Sequence, residues 1–227
     1  EARTYDKQTY ADVILNIDKA LGKDWTIVAN IGASYNNIGT DELRYGGPIQ
    51  DNGLANVFNV FDLDDTKKRA SKSGWNDETQ SVFGSVELGW KKMLYITATG
   101  RNDWASQLAG SSERSFFYPS VGISWVPTSI WDFGAVNYFK LRASVASVGM
   151  PFPRFLTMPT YEYDATNKIW KDKTHYPIGD LKPERTLTYE VGVETRFWQD
   201  LSLNLSWYLA DTYNQTFDPS LPPSSSY

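Results

Sequence analysis

An all-β fold, an antiparallel up-and-down segment of a transmembrane β-barrel with about eight strands, is what the sequence predicts, and three observations carry that reading. Apolar and polar residues alternate in segments of about ten to fourteen residues, long enough to cross a bilayer at a tilt. The connections between segments alternate between short and long. Tryptophans gather at segment ends, where indole favours the interface between lipid and water. No stretch approaches the ~20 continuous apolar residues of a spanning helix, so a helical membrane protein is excluded.

The strands are expected over residues 10–20, 25–36, 76–89, 93–104, 115–126, 138–149, 184–197 and 201–213. The last two show the pattern most clearly, because successive side chains of a strand point to opposite faces. One face of the seventh carries Leu187, Tyr189, Val191, Val193 and Phe197; the other carries Thr188, Glu190, Gly192, Glu194 and Arg196. The eighth sets Leu201, Leu203, Leu205, Trp207 and Leu209 against Ser202, Asn204, Ser206 and Tyr208. Short turns join the first pair at 21–24, the third and fourth at 90–92, and the last pair at 198–200. Long polar segments fill 37–75 and 150–183, with a shorter one at 105–114 and a medium connector at 127–137.

Alternation alone also describes a soluble sandwich, and the connections decide between the two. Brief turns at one end and elaborated loops at the other are the habit of a membrane barrel. At the short-turn end stand Trp25, Trp90, Trp125 and Trp198; at the long-loop end stand Trp75 and Trp104 with Phe116, Phe117 and Tyr118. These are expected membrane-interface aromatics, although any one of them alone reads equally well as a core or glycan-stacking residue. Glu87, Arg101, Lys140, Arg142, Glu190, Glu194 and Arg196 are expected to face a hydrated or plugged lumen, since charges of both signs do not suit a packed core. The two ends, Glu1 without a leader-like run and the Pro/Ser-rich 219–227, suggest cuts in a longer polypeptide.

Four phrases then resemble the barrel of the SusC/RagA-like TonB-dependent outer-membrane transporters. They are Gly100-Arg101-Asn102-Asp103-Trp104, Ser115-Phe116-Phe117-Tyr118-Pro119-Ser120-Val121-Gly122-Ile123-Ser124-Trp125, Lys140-Leu141-Arg142-Ala143-Ser144, and Leu181-Lys182-Pro183-Glu184-Arg185-Thr186-Leu187-Thr188-Tyr189-Glu190-Val191-Gly192. They fall on successive strands in the family's order, between residues 80 and 214. Ser147-Val148-Gly149-Met150 departs from the family's usual ending of that strand. The resemblance implies that residues 1–227 are part of a barrel of about 22 strands whose plug domain and remaining strands lie elsewhere. It also implies a bacterial outer-membrane location, a SusD-like surface lipoprotein partner, and a TonB complex acting through the plug. The cargo would be an oligosaccharide or a peptide. Tyr161, Tyr163, Trp170 and His175, in the second long loop, are the candidate substrate contacts. Gly122 and Gly192 are expected on the inward face, permitting curvature or leaving room for a plug.

Other chemistry finds little support. Cysteine is absent and the one histidine cannot build a metal site or a Ser/His/Asp arrangement, so neither cofactor nor catalysis is expected. Asp62-Leu63-Asp64-Asp65 could offer oxygen ligands to calcium, but an acidic solvated loop explains it more simply. The 22 basic and 27 acidic residues are interspersed, which argues against nucleic acid. A secreted β-sandwich carbohydrate-binding module is the rival reading, and a closed eight-strand barrel a third.

Overall fold

A computed structural model of the chain describes residues 1–51, 59–150, 153–157, 161–164, 167–172, 182–198 and 200–217. Its strands are β1 (Ala2–Leu21), β2 (Trp25–Gly46), β3 (Arg69–Trp90), β4 (Leu94–Ala105), β5 (Phe116–Trp125), β6 (Val136–Met150), β7 (Tyr161–Asp164), β8 (Ile169–Asp172), β9 (Glu184–Phe197) and β10 (Leu201–Tyr213). Eight of them form one sheet in the order β1-β2-β3-β4-β5-β6-β9-β10, and β7 pairs only with β8. Among the described residues helical structure is limited to three short 3-10 turns, at Val60–Asp62, Ser106–Leu108 and Pro127–Ser129.

All eight expected strands are present, the last two at their expected bounds. The first three run further than expected, β1 from Ala2, β2 to Gly46 and β3 from Arg69, so much of the supposed loop 37–75 is strand. The physical reason is that a strand with water on both faces keeps its backbone ladder but has no cause to alternate apolar with polar residues. Thr40-Asp41-Glu42 and Ser71-Lys72-Ser73 are polar on successive positions and so read as loop. The β7–β8 hairpin was likewise hidden, because four residues are too few to display a period.

The chain divides into two compact units, residues 1–11 with 35–79, and residues 12–34 with 80–227. In the first unit, polar cross-strand bonds tie the outer parts of β1, β2 and β3 together. Thr40 Oγ1 donates to Asp6 Oδ1 at 2.6 Å, Gln8 Nε2 to Asn36 Oδ1 at 3.2 Å, and Ser73 Oγ to Glu42 Oε2 at 3.4 Å.

In the second unit, the antiparallel register lines side chains into rows across five strands. Leu94–Trp125–Leu141–Val193–Leu205, Ile96–Ile123–Ala143–Val191–Trp207 and Ala98–Val121–Val145–Tyr189–Leu209 lie on one face. One residue along, on the other face, are Tyr95–Ser124–Arg142–Gly192–Ser206, Thr97–Gly122–Ser144–Glu190–Tyr208 and Thr99–Ser120–Ala146–Thr188–Ala210. A slip of one residue would exchange the two sets, so burial of the apolar face in some medium fixes the register.

Among the described residues, little protein covers that face. Among the described residues the only buried hydrophobic side chains are Met93, Leu108 and Phe116, while Val121, Ile123, Trp207 and Leu205 are 46–60% exposed. A sandwich must cover one sheet face with a second sheet; among the described residues the other sheet is the two-stranded β7–β8 hairpin, which does not favour the carbohydrate-binding sandwich. The small core that does exist joins Leu108 and Phe116 with Ala105, Tyr118 and Leu156 at the long-loop end. Thr157 Oγ1 donates to the Ala109 carbonyl at 2.5 Å and fastens the chain after β6 to the loop between β4 and β5.

Candidate functional site: the polar face and the aromatic ends

The seven expected inward residues share the face opposite the apolar rows, each engaged with neighbours on that face or paired there in register. Arg101 directs Nε to Asp103 Oδ1 at 2.6 Å and Nη2 to Ser81 Oγ at 2.8 Å, with its guanidinium 5.7 Å from the Phe83 ring centre. Glu87 accepts from Thr97 Oγ1 at 3.1 Å. Lys140 stands opposite Glu194, and Arg196 lies over the Tyr138 ring at 6.0 Å. Arg142 reaches across two strands, donating from Nη2 to Ser206 Oγ at 2.6 Å and pairing with Glu190 Oε1 at 3.1 Å.

Arg142 can do this because residue 192 is a glycine. A Cβ there would stand 2.5 Å from Arg142 Nε. The space expected at Gly192 is therefore filled by a guanidinium stem from the same sheet, whereas at Gly122 a Cβ would meet only ordinary contacts at 3.7 Å. Sequence reasoning placed the arginines and carboxylates on one face but missed the partners Ser81, Asp103 and Ser206, whose selection depends on cross-strand register.

The short-turn aromatics stand where strands end. Trp25 opens β2, Trp90 closes β3, Trp125 closes β5 and Trp198 follows β9. Trp25 and Trp90 bring their rings to 6.3 Å, and Phe197 and Trp198 theirs to 5.9 Å. Trp131, half exposed in the connector after Pro127–Ser129, adds a fifth indole that the strand pattern did not single out. Trp104 lies near the end of β4, 45% exposed, and Trp75 is half-buried in the first unit. Trp207 breaks the banding, standing in the middle apolar row.

Of the loop candidates, Tyr163 and Trp170 face each other across the β7–β8 hairpin, ring centres 5.1 Å apart and tilted by 56°, and Tyr161 is exposed on the same strand as Tyr163. His175 lies outside the described residues. The acidic run in the first loop is satisfied locally. Asp64 accepts from the Thr66 amide at 2.9 Å and hydroxyl at 2.6 Å and pairs with Lys67 at 3.2 Å, while Asp65 pairs with Lys68. The Thr66 hydrogen bonds, with Lys67 beside them, hold the Asp64 carboxyl down to about 2.

Residues 1–227 match the family model described as TonB dependent receptor-like, beta-barrel. Among solved structures, the chain is similar to one described as the RagAB peptide transporter, with 18% identity and a TM-score of 0.80, covering 97% of this chain and 25% of that one. Structures of the RagAB peptide importer in its open-open and closed-closed states give TM-scores of 0.77 and 0.76 at 17% and 16% identity. They cover 96% and 93% of this chain respectively. The chain spans about a quarter of the length of these structures, with 24–25% of each covered. No curated protein matches the sequence. With the family model matched over its full length, and with strands whose faces divide into apolar and polar rows, this chain belongs to the TonB-dependent receptor-like β-barrel family, as its SusC/RagA-like phrases imply.

Proposed function

We propose that this chain is a membrane-spanning part of a TonB-dependent nutrient importer in a bacterial outer membrane. The observation that carries the reading is the division of the sheet into apolar rows five strands wide and polar rows one residue away. In the intact protein the apolar rows meet outer-membrane lipid, and Glu87, Arg101, Lys140, Arg142, Glu190, Glu194 and Arg196 face the lumen. The edge strands β1 and β10 pair with further strands, since open edges in lipid leave backbone groups without partners. Both compact units then belong to one barrel domain.

The cargo is an oligosaccharide or a peptide, and the description of the similar structures as peptide importers supports the peptide. A SusD-like surface lipoprotein meets the long-loop end, where Tyr161, Tyr163 and Trp170 offer rings to cargo, and a TonB complex acts through a plug domain. The protein moves its cargo without transforming it. The test is uptake by cells carrying the full-length protein. Deletion of its gene should abolish import of labelled peptides, and Trp170→Ala with Tyr163→Ala should lower it severalfold with barrel assembly intact. Undiminished uptake of both peptides and oligosaccharides after deletion would overturn the reading.

A further inference from the structure

Two hairpin turns at the short-turn end carry a cluster of cations that nothing in the barrel itself requires. The β1–β2 turn contains Gly22, Lys23 and Asp24, and the β3–β4 turn contains Lys91, Lys92 and Met93. The amide of Lys91 donates to the Asp24 carbonyl at 2.6 Å, so the two turns are held side by side. Lys23, Lys91 and Lys92 are all exposed. Among the described residues none of the three forms an ion pair.

Lysine is a costly choice for the second turn. Lys91 and Lys92 both have left-handed backbones, with φ of 50° and 57°. A two-residue turn of this kind ordinarily takes Asn-Gly, because a Cβ crowds the carbonyl oxygen at positive φ, a cost glycine avoids and asparagine tolerates. Strain of this sort persists where the residue serves some other end. Just above the lysines stand the paired indoles of Trp25 and Trp90, and Lys91 Nζ lies 5.2 Å from the Trp90 ring centre. Indoles seat at the level of the lipid headgroups. A cation at the indole level is at the depth of the headgroup phosphates, and Lys91 is held there by its ring contact while Lys23 and Lys92 stand on the same pair of turns.

We infer that Lys23, Lys91 and Lys92, with Trp25 and Trp90, form a binding site for an anionic phospholipid headgroup in the periplasmic leaflet. The inference rests on the outer-membrane reading, which puts short turns at the periplasmic side. Three exposed cations on two adjoining turns favour a lipid with net negative charge over a zwitterionic one. Asp24 is the acidic residue in the patch, and it engages the neighbouring turn through its backbone carbonyl.

The test uses the full-length importer in bilayers of equal phosphatidylglycerol and phosphatidylcholine, followed by gentle detergent extraction and native mass spectrometry of retained lipid. The wild type should retain phosphatidylglycerol preferentially, and Lys23→Gln, Lys91→Gln and Lys92→Gln should each lower that preference by about fivefold at low salt. Lys91→Asn with Lys92→Gly supplies the ordinary turn pair, so it folds at least as well and should still lose the preference, while Lys91→Arg with Lys92→Arg should keep it. Equal retention of phosphatidylglycerol by wild type and the Asn-Gly variant overturns the site. Displacement of the lipid by inorganic phosphate alone assigns the cluster to free phosphate and also overturns it. Failure of the wild type to float with the bilayers is a separate result, since it removes the outer-membrane reading beneath.

Discussion

Arg142 shows how single residues set the geometry of this sheet, because its side chain crosses β9 only where residue 192 has none. Gly192→Ala should force the arginine off Ser206 and Glu190 at a cost of about 1–3 kcal/mol. Gly122→Ala, whose Cβ meets nothing closer than 3.7 Å, should cost little. Denaturant unfolding of the full-length protein in micelles separates the two. Asp64 gives a pH dependence whose direction follows from its depressed carboxyl. Its folded value near 2 lies below the ordinary ~3.9, so its support for the turn at Thr66 is complete above about pH 4 and is lost as pH falls toward 2. Amide exchange at Thr66 and Lys67, corrected for intrinsic rates, should rise over that window, and Asp64→Asn should remove the dependence. Residue identity made the charged face legible in the sequence, as Glu190, Glu194 and Arg196 fall with Gly192 on alternate positions of one strand. Which hydroxyl or carboxylate each arginine selects was not legible, because it follows from the pairing of strands distant in the chain.

At the scale of elements, legibility tracked the medium around each strand. β9 and β10 were readable to the residue because apolar and polar side chains alternate along most of their length. The outer parts of β2 and β3 were read as loop, and that of β1 was left outside its strand, because nothing there enforces alternation. A consequence can be tested on β9, which pairs with β6 on one side and β10 on the other. Val191→Pro removes a ladder donor from a strand with neighbours on both sides, so the full-length protein should fail to assemble, judged by loss of its heat-modifiable folded band. The β7–β8 hairpin should behave oppositely. Two strands of four residues carry little of the fold, so Trp170→Ala should leave barrel stability unchanged while altering the loop end.

For the whole molecule, the proposed importer has its sheet sorted for lipid on one face and water on the other. The middle apolar row should then resist charge: Trp207→Arg is expected to cost about 2–4 kcal/mol, and Thr188→Arg, on the opposite face, far less. The absence of cysteine from this chain allows a more direct measurement, since each cysteine introduced along β10 is the only one in these residues. Spin labels placed singly at 203–209 in the full-length protein in bilayers can be scored for collision with oxygen, which enriches in lipid, and with a water-soluble nickel chelate. Oxygen access should peak at Leu203, Leu205, Trp207 and Leu209, and nickel access at Asn204, Ser206 and Tyr208. Uniform access to the chelate at every position would contradict the membrane-spanning sheet.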